Sequence, residues 1–328
     1  EGAGSPGGLA SLAVVAGKTV AVVVPAYDEE RLLPITLAGI PDFVDRVYVV
    51  DDASRDGTAD RAREAQASDR RVELIVHERN RGVGAAIVSG YKRALAEGMD
   101  VVCVMAADNQ MDPGELAQLV EPVAHGQVEY AKANRLATGE AWTLMPRARY
   151  LGNATLSLLT KIASGYWHVA DSQAGYTAIA RRALERLDLD RLYPRYGFPN
   201  DMLVHLNVID ARVRDIPSRP VYGVGERSGI RYSRVVPAIS RLLVKAFFWR
   251  LWQKYVIRDF HPLVFFYVLG IALFLAGLGL GLAEVVLRAL GNAIPAATIV
   301  LVALLLVFGS QLVLFAMWLD MERNKDLR

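Results

Sequence analysis

Three short stretches concentrate groups that could do chemistry. "VYVVDDASRDGT" carries an apolar run into the acid pair Asp51 and Asp52. Carboxylates there can accept hydrogen bonds from the ring N–H groups of a ligand, or cap the helix that follows. "VVCVMAADNQMDPGE" stays apolar through Met105 and then sets Asp108, Gln110 and Asp112 into one loop ahead of a Pro-Gly break. Oxygen donors of this kind suit Mg2+ or Mn2+, which keep several waters and take phosphate oxygens, so two protein ligands suffice. An inert turn before a helix beginning at Pro113 is the competing explanation. "RNRGVGAAIVSG" contains Gly82-x-Gly84, the start of a dinucleotide fingerprint, but Ile87 stands at the last small position. The first strand-to-helix turn, Pro25 to Glu30, has no glycine either, so a nicotinamide-binding reading is weak. The glycines fit close backbone packing, beside a ligand or at a helix N-terminus.

Such loops need a frame. "TVAVVVPAYDEE", "RVYVVDDASRDGT", "VELIVHERNRGVG" and "DVVCVMAADNQMDP" each run from a continuous apolar segment into acids, amides or glycines, and a helically spaced segment follows each. Strands apolar throughout and alternating with helices predict a mostly parallel sheet covered on both faces. Ligands of such sheets sit beyond the carboxyl ends of the strands, where all four loops fall. From about Glu129 to Val224 the pattern is less regular, with Gly, Pro and aromatic turns suited to shaping a substrate site.

Hydrophobic residues make up 53% of the 328 positions, more than a soluble domain carries, and the excess lies in the last fifth of the chain. "PLVFFYVLGIALFLAGLGLGLA", Pro262 to Ala283, carries no charge and exceeds the roughly 20 residues that cross a bilayer. A second uncharged run, Ala289 to Leu319, opens with a turn-like "LGNAIPAA". Before them, Ser233 to Phe260 interleaves Arg234, Arg241, Lys245, Arg250, Lys254 and Arg258 with Leu, Phe and Trp, as in a helix lying in a membrane interface. The loop between the spans offers Glu284 and Arg288, whereas the flanks carry Arg250, Lys254, Arg258, Arg323, Lys325 and Arg328. The positive-inside tendency then puts both flanks, both termini and the α/β part on the cytoplasmic side. A net charge of +2 gives no argument for nucleic acid. The single Cys103 sits in an apolar strand as a small core residue. Residues 1–17 lack a basic leader and read as a flexible lead-in.

The order "VVVPAYDEE", "VYVVDDASRDGT", "HERNRGVGAAIVSGYKRAL", "AADNQMDP" and "DSQAGY" resembles the inverting family 2 glycosyltransferases with a GT-A fold. Within them it looks like the polyprenyl-phosphate sugar transferases, such as dolichyl-phosphate mannose synthase and undecaprenyl-phosphate glucosyltransferase. The resemblance covers about residues 19–232. It implies a GT-A domain over 18–232, amphipathic interfacial helices over 233–260, and two transmembrane helices with a short cytoplasmic tail over 261–328. Asp51 and Asp52 are then expected at the base of a nucleotide-sugar, with Pro25, Tyr27 and Glu29 lining the same pocket and Gly82 and Gly84 near it. Asp108 and Gln110 are expected to hold Mg2+ or Mn2+, although Ala106 stands where the family usually has a first acid. Asp171, in "DSQAGY", matches an acid near the reacting centre. Arg135, in "ANR", and Arg227, in "GERSG", are stronger candidates for the acceptor phosphate than Arg147 and Arg149.

The implied activity is inverting transfer of a hexose from GDP-mannose or UDP-glucose to a polyprenyl phosphate at the cytoplasmic membrane face. Asp108, Asp171 and Arg135 are the catalytic candidates. Two alternatives stand beside it: a processive polysaccharide synthase, which would normally show a Gln-x-x-Arg-Trp motif and more spans, and a non-catalytic membrane protein that binds nucleotide-sugars. The partners are the donor, the lipid acceptor and the membrane, and a homo-oligomer stays open. His168 and His205 lack metal-ligand spacing and read as structural. Asp201 is an acid near the acceptor or a helix cap in equal measure.

Overall fold

A computed structural model describes residues 15–137, 147–219, 221 and 232–328. Most of the lead-in, residues 1–14, therefore lies outside the described residues. The chain divides into two compact units, one of residues 1–247 with 327–328 and one of residues 248–326.

The first unit is built on β1 (Val20–Ala26), β2 (Arg46–Asp51), β3 (Val72–Val76), β4 (Val101–Val104), β5 (Tyr130–Asn134), β6 (Thr177–Ala180) and β7 (Val213–Pro217). They form one sheet in the order β3-β2-β1-β4-β6-β5-β7. All neighbours are parallel except β6, which runs antiparallel to both β4 and β5. Among the described residues, the α-helices lying wholly in this unit are α1 (Leu33–Ala38), α2 (Thr58–Ser68), α3 (Val83–Ala96), α4 (Leu116–Ala124), α5 (Arg147–Ser164), α6 (Arg181–Leu184) and α7 (Phe198–Val208). The mostly parallel α/β sheet expected from the alternating pattern is present. β5, β6 and β7 are the part that the irregular middle concealed, because each is at most five residues long and β5 has Lys132 at its centre.

Side-chain alternation along β1 feeds two cores. Val20, Val22 and Val24 join Leu33, Ala62, Leu116 and Leu119 on one face, while Ala21 and Val23 join Ile87, Tyr91, Met202 and Leu206 on the other. The chain leaves β1 toward β2 on one side and reaches β4 on the other, so the strand order reverses at β1. Such a switch point opens a crevice outside the carboxyl ends of the strands. Buried Cys103 lies in β4, its thiol pushed up by burial.

The second unit contains the end of α8 (Tyr232–Trp252), a π-helical turn (Gln253–Arg258), α9 (Leu263–Ala289) and α10 (Ala296–Arg323). α9 and α10 have 27 and 28 residues, with mean hydropathies of 2.5 and 2.7 over their most apolar windows, long and apolar enough to cross a membrane. They pack antiparallel through glycines. A Cβ on Gly270 would lie 2.9 Å from Leu312, and one on Gly309 would lie 2.5 Å from the Phe274 nitrogen. Small residues are what let apolar helices approach this closely in lipid. Glu284 and Arg288 belong to the last turns of α9 and not to the loop, because the helix continues to Ala289.

A second correction concerns the basic helix. Arg250 and Lys254 are buried, not spread at an interface. The Arg250 guanidinium donates to both oxygens of Asp320 at 2.9 Å, and Lys254 donates to Asn324 Oδ1 at 2.8 Å. The Tyr255 hydroxyl completes the group by donating to Asp320. A carboxylate this close to the end of an apolar helix needs paired charge and hydrogen bonds to be tolerated.

The close approach of α3 to β1 at Gly90 gives a measurable consequence. A Cβ there would sit 2.3 Å from Val23 Cγ1 in the centre of the sheet. Gly90→Ala should lower stability by about 1–3 kcal/mol through overpacking. Thermal unfolding of the detergent-solubilised chain would show this as a reduced Tm; an unchanged Tm would mean the contact relaxes freely.

Candidate active site

Four loops leave the carboxyl edge of β1, β2, β3 and β4, and three hold a non-glycine residue in the left-handed region: Asp28 at φ 56°, Ala53 at φ 60° and Asn109 at φ 54°. Such conformations cost energy and persist where surroundings enforce them, often at functional sites. The enforcing bonds are visible between the first two loops. Asp28 N–H donates to Ser54 Oγ at 3.0 Å, Arg55 N–H returns to Asp28 Oδ1 at 2.7 Å, and Glu29 N–H donates to Thr58 Oγ1 at 2.8 Å. Pro25 is buried at the end of β1, while Tyr27 projects 39% exposed over this edge.

The neighbouring acids Asp51 and Asp52, both buried, have opposite surroundings. Asp52 is saturated: Oδ1 accepts from His77 Nδ1 at 2.7 Å and Arg81 N–H at 2.9 Å, and Oδ2 accepts from Gly82 N–H at 2.7 Å. Since a carboxylate only accepts, His77 donates from Nδ1, and its Nε2 lies 2.8 Å from the Ser89 hydroxyl. The Ser-His-Asp chain ties β2, β3 and α3 together. Ser89 lies in the body of α3, whose own helical bonds occupy the nearby N–H groups, so the chain acts as a strut and offers no oxyanion hole. Asp51, in contrast, meets only the Ser54 N–H among the described residues, at 3.4 Å to each oxygen. That is beyond the usual N–H···O range and leaves a buried acceptor with capacity for a ligand.

Gly82 and Gly84 are explained by packing. Gly82 has φ 98°, and a Cβ on it would lie 2.5 Å from the Pro194 carbonyl; a Cβ on Gly84 would lie 2.4 Å from the Tyr193 carbonyl. The start of α3 thus seats directly on the Tyr193–Phe198 segment, and Ala85 N–H donates to Pro194 O at 3.1 Å.

In the β4 loop, Asp108 Oδ1 accepts from Gln110 N–H at 3.1 Å across the left-handed Asn109. Ala106 N–H donates to Met111 Sδ at 3.2 Å, so a thioether closes the loop. Asp112 caps the following turn through Gly114 N–H at 2.8 Å. Burial, then the charges of Asp108, Asp56 and Asp28, push the half-buried Glu29 carboxyl up to about 7. Among the described residues no group of three or more His, Cys, Asp or Glu is arranged around a metal position. What the edge offers is one carboxylate and one amide oxygen amid an excess of negative charge, a donor set that fits a hard divalent cation completed by phosphate oxygens.

A second cluster lies at the ends of β5 and β7. The Arg135 guanidinium forks onto Asp171, Nε to Oδ2 at 2.8 Å and Nη2 to Oδ1 at 3.2 Å. Burial alone would raise the Asp171 carboxyl; the charge and hydrogen bonds of Arg135, with Lys132 beyond, hold it below the ordinary carboxylate range. Gln173 of the same turn donates to Asn200 Oδ1 at 2.7 Å on α7. Beside Asn200, Asp201 accepts from Tyr193 N–H at 2.8 Å, and burial lifts it to about 6. Burial brings His205 down to about 4, and His168 bonds the Val213 carbonyl at 2.8 Å, so both are structural. Arg147 and Arg149 fall in the opening turn of α5, and Arg227 lies outside the described residues. His77, Ser89, Lys132 and Asn200 are site-supporting residues that motif reading passed over. The signal for Lys132 was a cation at the centre of "YAKAN".

Comparison with known proteins adds the family context. The model of glycosyl transferase family 2 matches residues 21–188. The UDP-N-acetylglucosamine–dolichyl-phosphate N-acetylglucosaminyltransferase of Methanococcus voltae is 28% identical over 63% of this chain and 88% of its own length. The undecaprenyl-phosphate mannosyltransferase of Micrococcus luteus is 32% identical over 60% of this chain and 82% of its own. Among solved structures, glucosyl-3-phosphoglycerate synthase from Mycobacterium tuberculosis, in complex with Mn2+, UDP and glucosyl-3-phosphoglycerate, superposes with a TM-score of 0.55 at 22% identity. That alignment covers 76% of this chain and 85% of the synthase, and at this identity it speaks to the fold alone.

The pair of half-buried Arg135 and buried Asp171 sets a pH-dependent test. A carboxyl depressed in the folded chain contributes stability above its unfolded value of about 3.9, and the contribution is lost as pH falls toward the folded value. Asp171→Asn should therefore cost about 3–5 kcal/mol near neutral pH, as expected when one partner of a buried pair is removed. The Tm gap between wild type and variant should shrink in acid below about pH 4. A gap that persists undiminished there would assign the loss to packing instead of charge.

Proposed function

The chain belongs to glycosyl transferase family 2 and is a glycosyltransferase, and from that premise we propose that it moves one hexose from a nucleotide-sugar to a polyprenyl phosphate. The observation that carries this reading is the buried, under-used Asp51 carboxylate at the same sheet edge as Asp108 and Gln110. One is an acceptor for a base N–H, and the other two are oxygens for a diphosphate-bound cation. The relatives named for dolichyl- and undecaprenyl-phosphate acceptors, together with two membrane-length apolar helices, support a lipid acceptor.

In this proposal Tyr27 and Asp51 bind the base, and Asp52 does not touch it but holds the third loop through His77, Arg81 and Gly82. Asp108 and Gln110 would hold Mg2+ or Mn2+, which supplies charge stabilisation to the leaving diphosphate. Arg135, oriented by Asp171, presents its guanidinium to the acceptor phosphate. A phosphate monoester has a second pKa near 6, so the acceptor arrives largely as an oxyanion and needs no strong general base. Its oxygen attacks the anomeric carbon as the bond to the donor's phosphate oxygen breaks. The nucleoside diphosphate leaves from the opposite face, and the anomeric configuration inverts. The chain's contribution is to hold donor and acceptor in line. The cations Arg241, Lys245, Arg258, Arg323, Lys325 and Arg328, against Glu284 and Arg288 at the other end of the spans, favour a cytoplasmic site with both termini on that side.

A donor panel of UDP- and GDP-sugars with polyprenyl phosphate and Mg2+ or Mn2+, scored for glycolipid, tests the reading. Asp108→Ala should abolish transfer with Tm unchanged, and wild-type rates in that variant would remove the metal role. Asp51→Asn should weaken nucleoside diphosphate binding by about 10- to 100-fold, the worth of a hydrogen bond to a charged group. Asp52→Asn should act through stability first, and equal losses of affinity in the two variants would refute the division of labour.

A further inference from the structure

We propose that Lys132 is a positioning residue for the acceptor site: its ammonium pins the Asp171–Ala174 turn, so that Asp171 can hold Arg135 in its phosphate-binding orientation. The inference rests on the reading of Arg135 as part of the acceptor site. Lys132 sits at the centre of β5, wholly buried between Ala131 and Ala133. Burying an ammonium is costly unless it is hydrogen-bonded and compensated, and an apolar residue would fill the same strand position without that cost. The compensation here is specific. Lys132 Nζ donates to the Asp171 carbonyl and, at 3.0 Å, to the Ala174 carbonyl, one at each end of the turn.

The same turn is gripped from above by Arg135, three residues further along the same segment. Arg135 N–H and guanidinium both bond the Asp171 carboxylate, at 3.3 Å and 2.8 Å, and Gln173 N–H bonds it at 3.2 Å. One segment therefore holds one turn twice, Lys132 by its main chain and Arg135 by its side chain. Asp215 stands opposite Lys132 in the β5–β7 register. Its Oδ2 accepts from Ala170 N–H at 2.7 Å, just ahead of the turn, and from Asn134 Nδ2 at 3.0 Å. Burial pushes the Lys132 ammonium below its ordinary range, and the charges of Asp171 and Asp215 oppose that shift. Lys132 thus supports the turn that holds Arg135 from a buried place within the sheet.

The test compares acceptor kinetics with backbone protection in the full chain. Lys132→Met should raise KM for polyprenyl phosphate by about tenfold or more, leave UDP or GDP affinity within about twofold, and speed hydrogen exchange over residues 170–175 while β1–β4 keep their protection. Lys132→Gln, which keeps two N–H donors on a shorter arm, should lie between wild type and Met, and it serves as the comparison if Lys132→Met does not accumulate as folded protein. Donor and acceptor affinity falling together, or unchanged exchange in the turn, would overturn the proposal. A wild type that transfers to no polyprenyl phosphate sinks the acceptor reading instead, and the exchange comparison then decides on Lys132 alone.

Discussion

β1 is enclosed on every side, and the rest of the site follows from that. Val20 to Val24 are each fully buried, both edges of the strand are paired, and helices cover both faces. A strand in that position cannot carry a polar side chain until it passes the sheet edge, because a buried polar group without partners costs free energy that the core cannot return. Function is therefore confined to the loop from Pro25 onward and to the neighbouring loops that lean on it. The cross-bonds from Asp28, Glu29 and Glu30 to Ser54, Thr58 and Asp56 extend the order of the sheet into those loops. They also hold Asp28 and Ala53 in left-handed conformations that the free chain would rarely visit.

This constraint explains what could be read from the sequence. The first four strands were legible because each is a largely apolar run ending in polar residues, with only Glu73 interrupting β3, and their parallel arrangement follows from that pattern. That these loops leave the carboxyl edge together was legible for the same reason. The roles of Asp51 and Asp52 were not, since adjacent acids in "VVDDAS" are equivalent in sequence and are separated only by which way each side chain turns. Asp52 turns toward the N–H groups of Arg81 and Gly82, about thirty positions away, and toward His77. No local pattern encodes those partners. Lys132 and β5 were obscured in the opposite sense: a lysine inside a short strand reads as a surface residue until the turn it binds, some forty positions on, is placed against it.

The membrane part shows the same division. The two apolar helices are legible from hydropathy alone, although the first continues past its uncharged run to Ala289 and the second starts only at Ala296. The basic helix before them was legible as amphipathic, and Val244, Phe248 and Trp252, all exposed, continue an apolar stripe at four-residue spacing. What sequence could not separate is which cations face water. Arg250 and Lys254 share the spacing of their neighbours but are buried in the second unit, because Asp320 on α10 and Asn324 at its C-terminal cap require partners there. An acid at the end of an apolar run is the sequence signal for such a pair, and Asp320 is where it lay.

Ala106 stands where the resemblance implies a first acid, which on its face leaves the proposed metal site weaker. The charges around it argue otherwise. Asp28, Asp56 and Asp108 already repel the Glu29 carboxyl enough, on top of burial, to bring it to about 7. A further carboxylate at position 106 would add to that repulsion whenever no cation is held, and the chain would have to stabilise the loop against it. Here the loop is closed by a neutral contact, Ala106 N–H to the Met111 thioether, and Asp112 is committed to capping. The loop is thereby closed by contacts of its own, a thioether and a helix cap, and not by a further carboxylate. Within the proposed mechanism the missing oxygen ligand is one that the donor's own diphosphate can supply, so metal and nucleotide-sugar should bind as a coupled pair and not in succession.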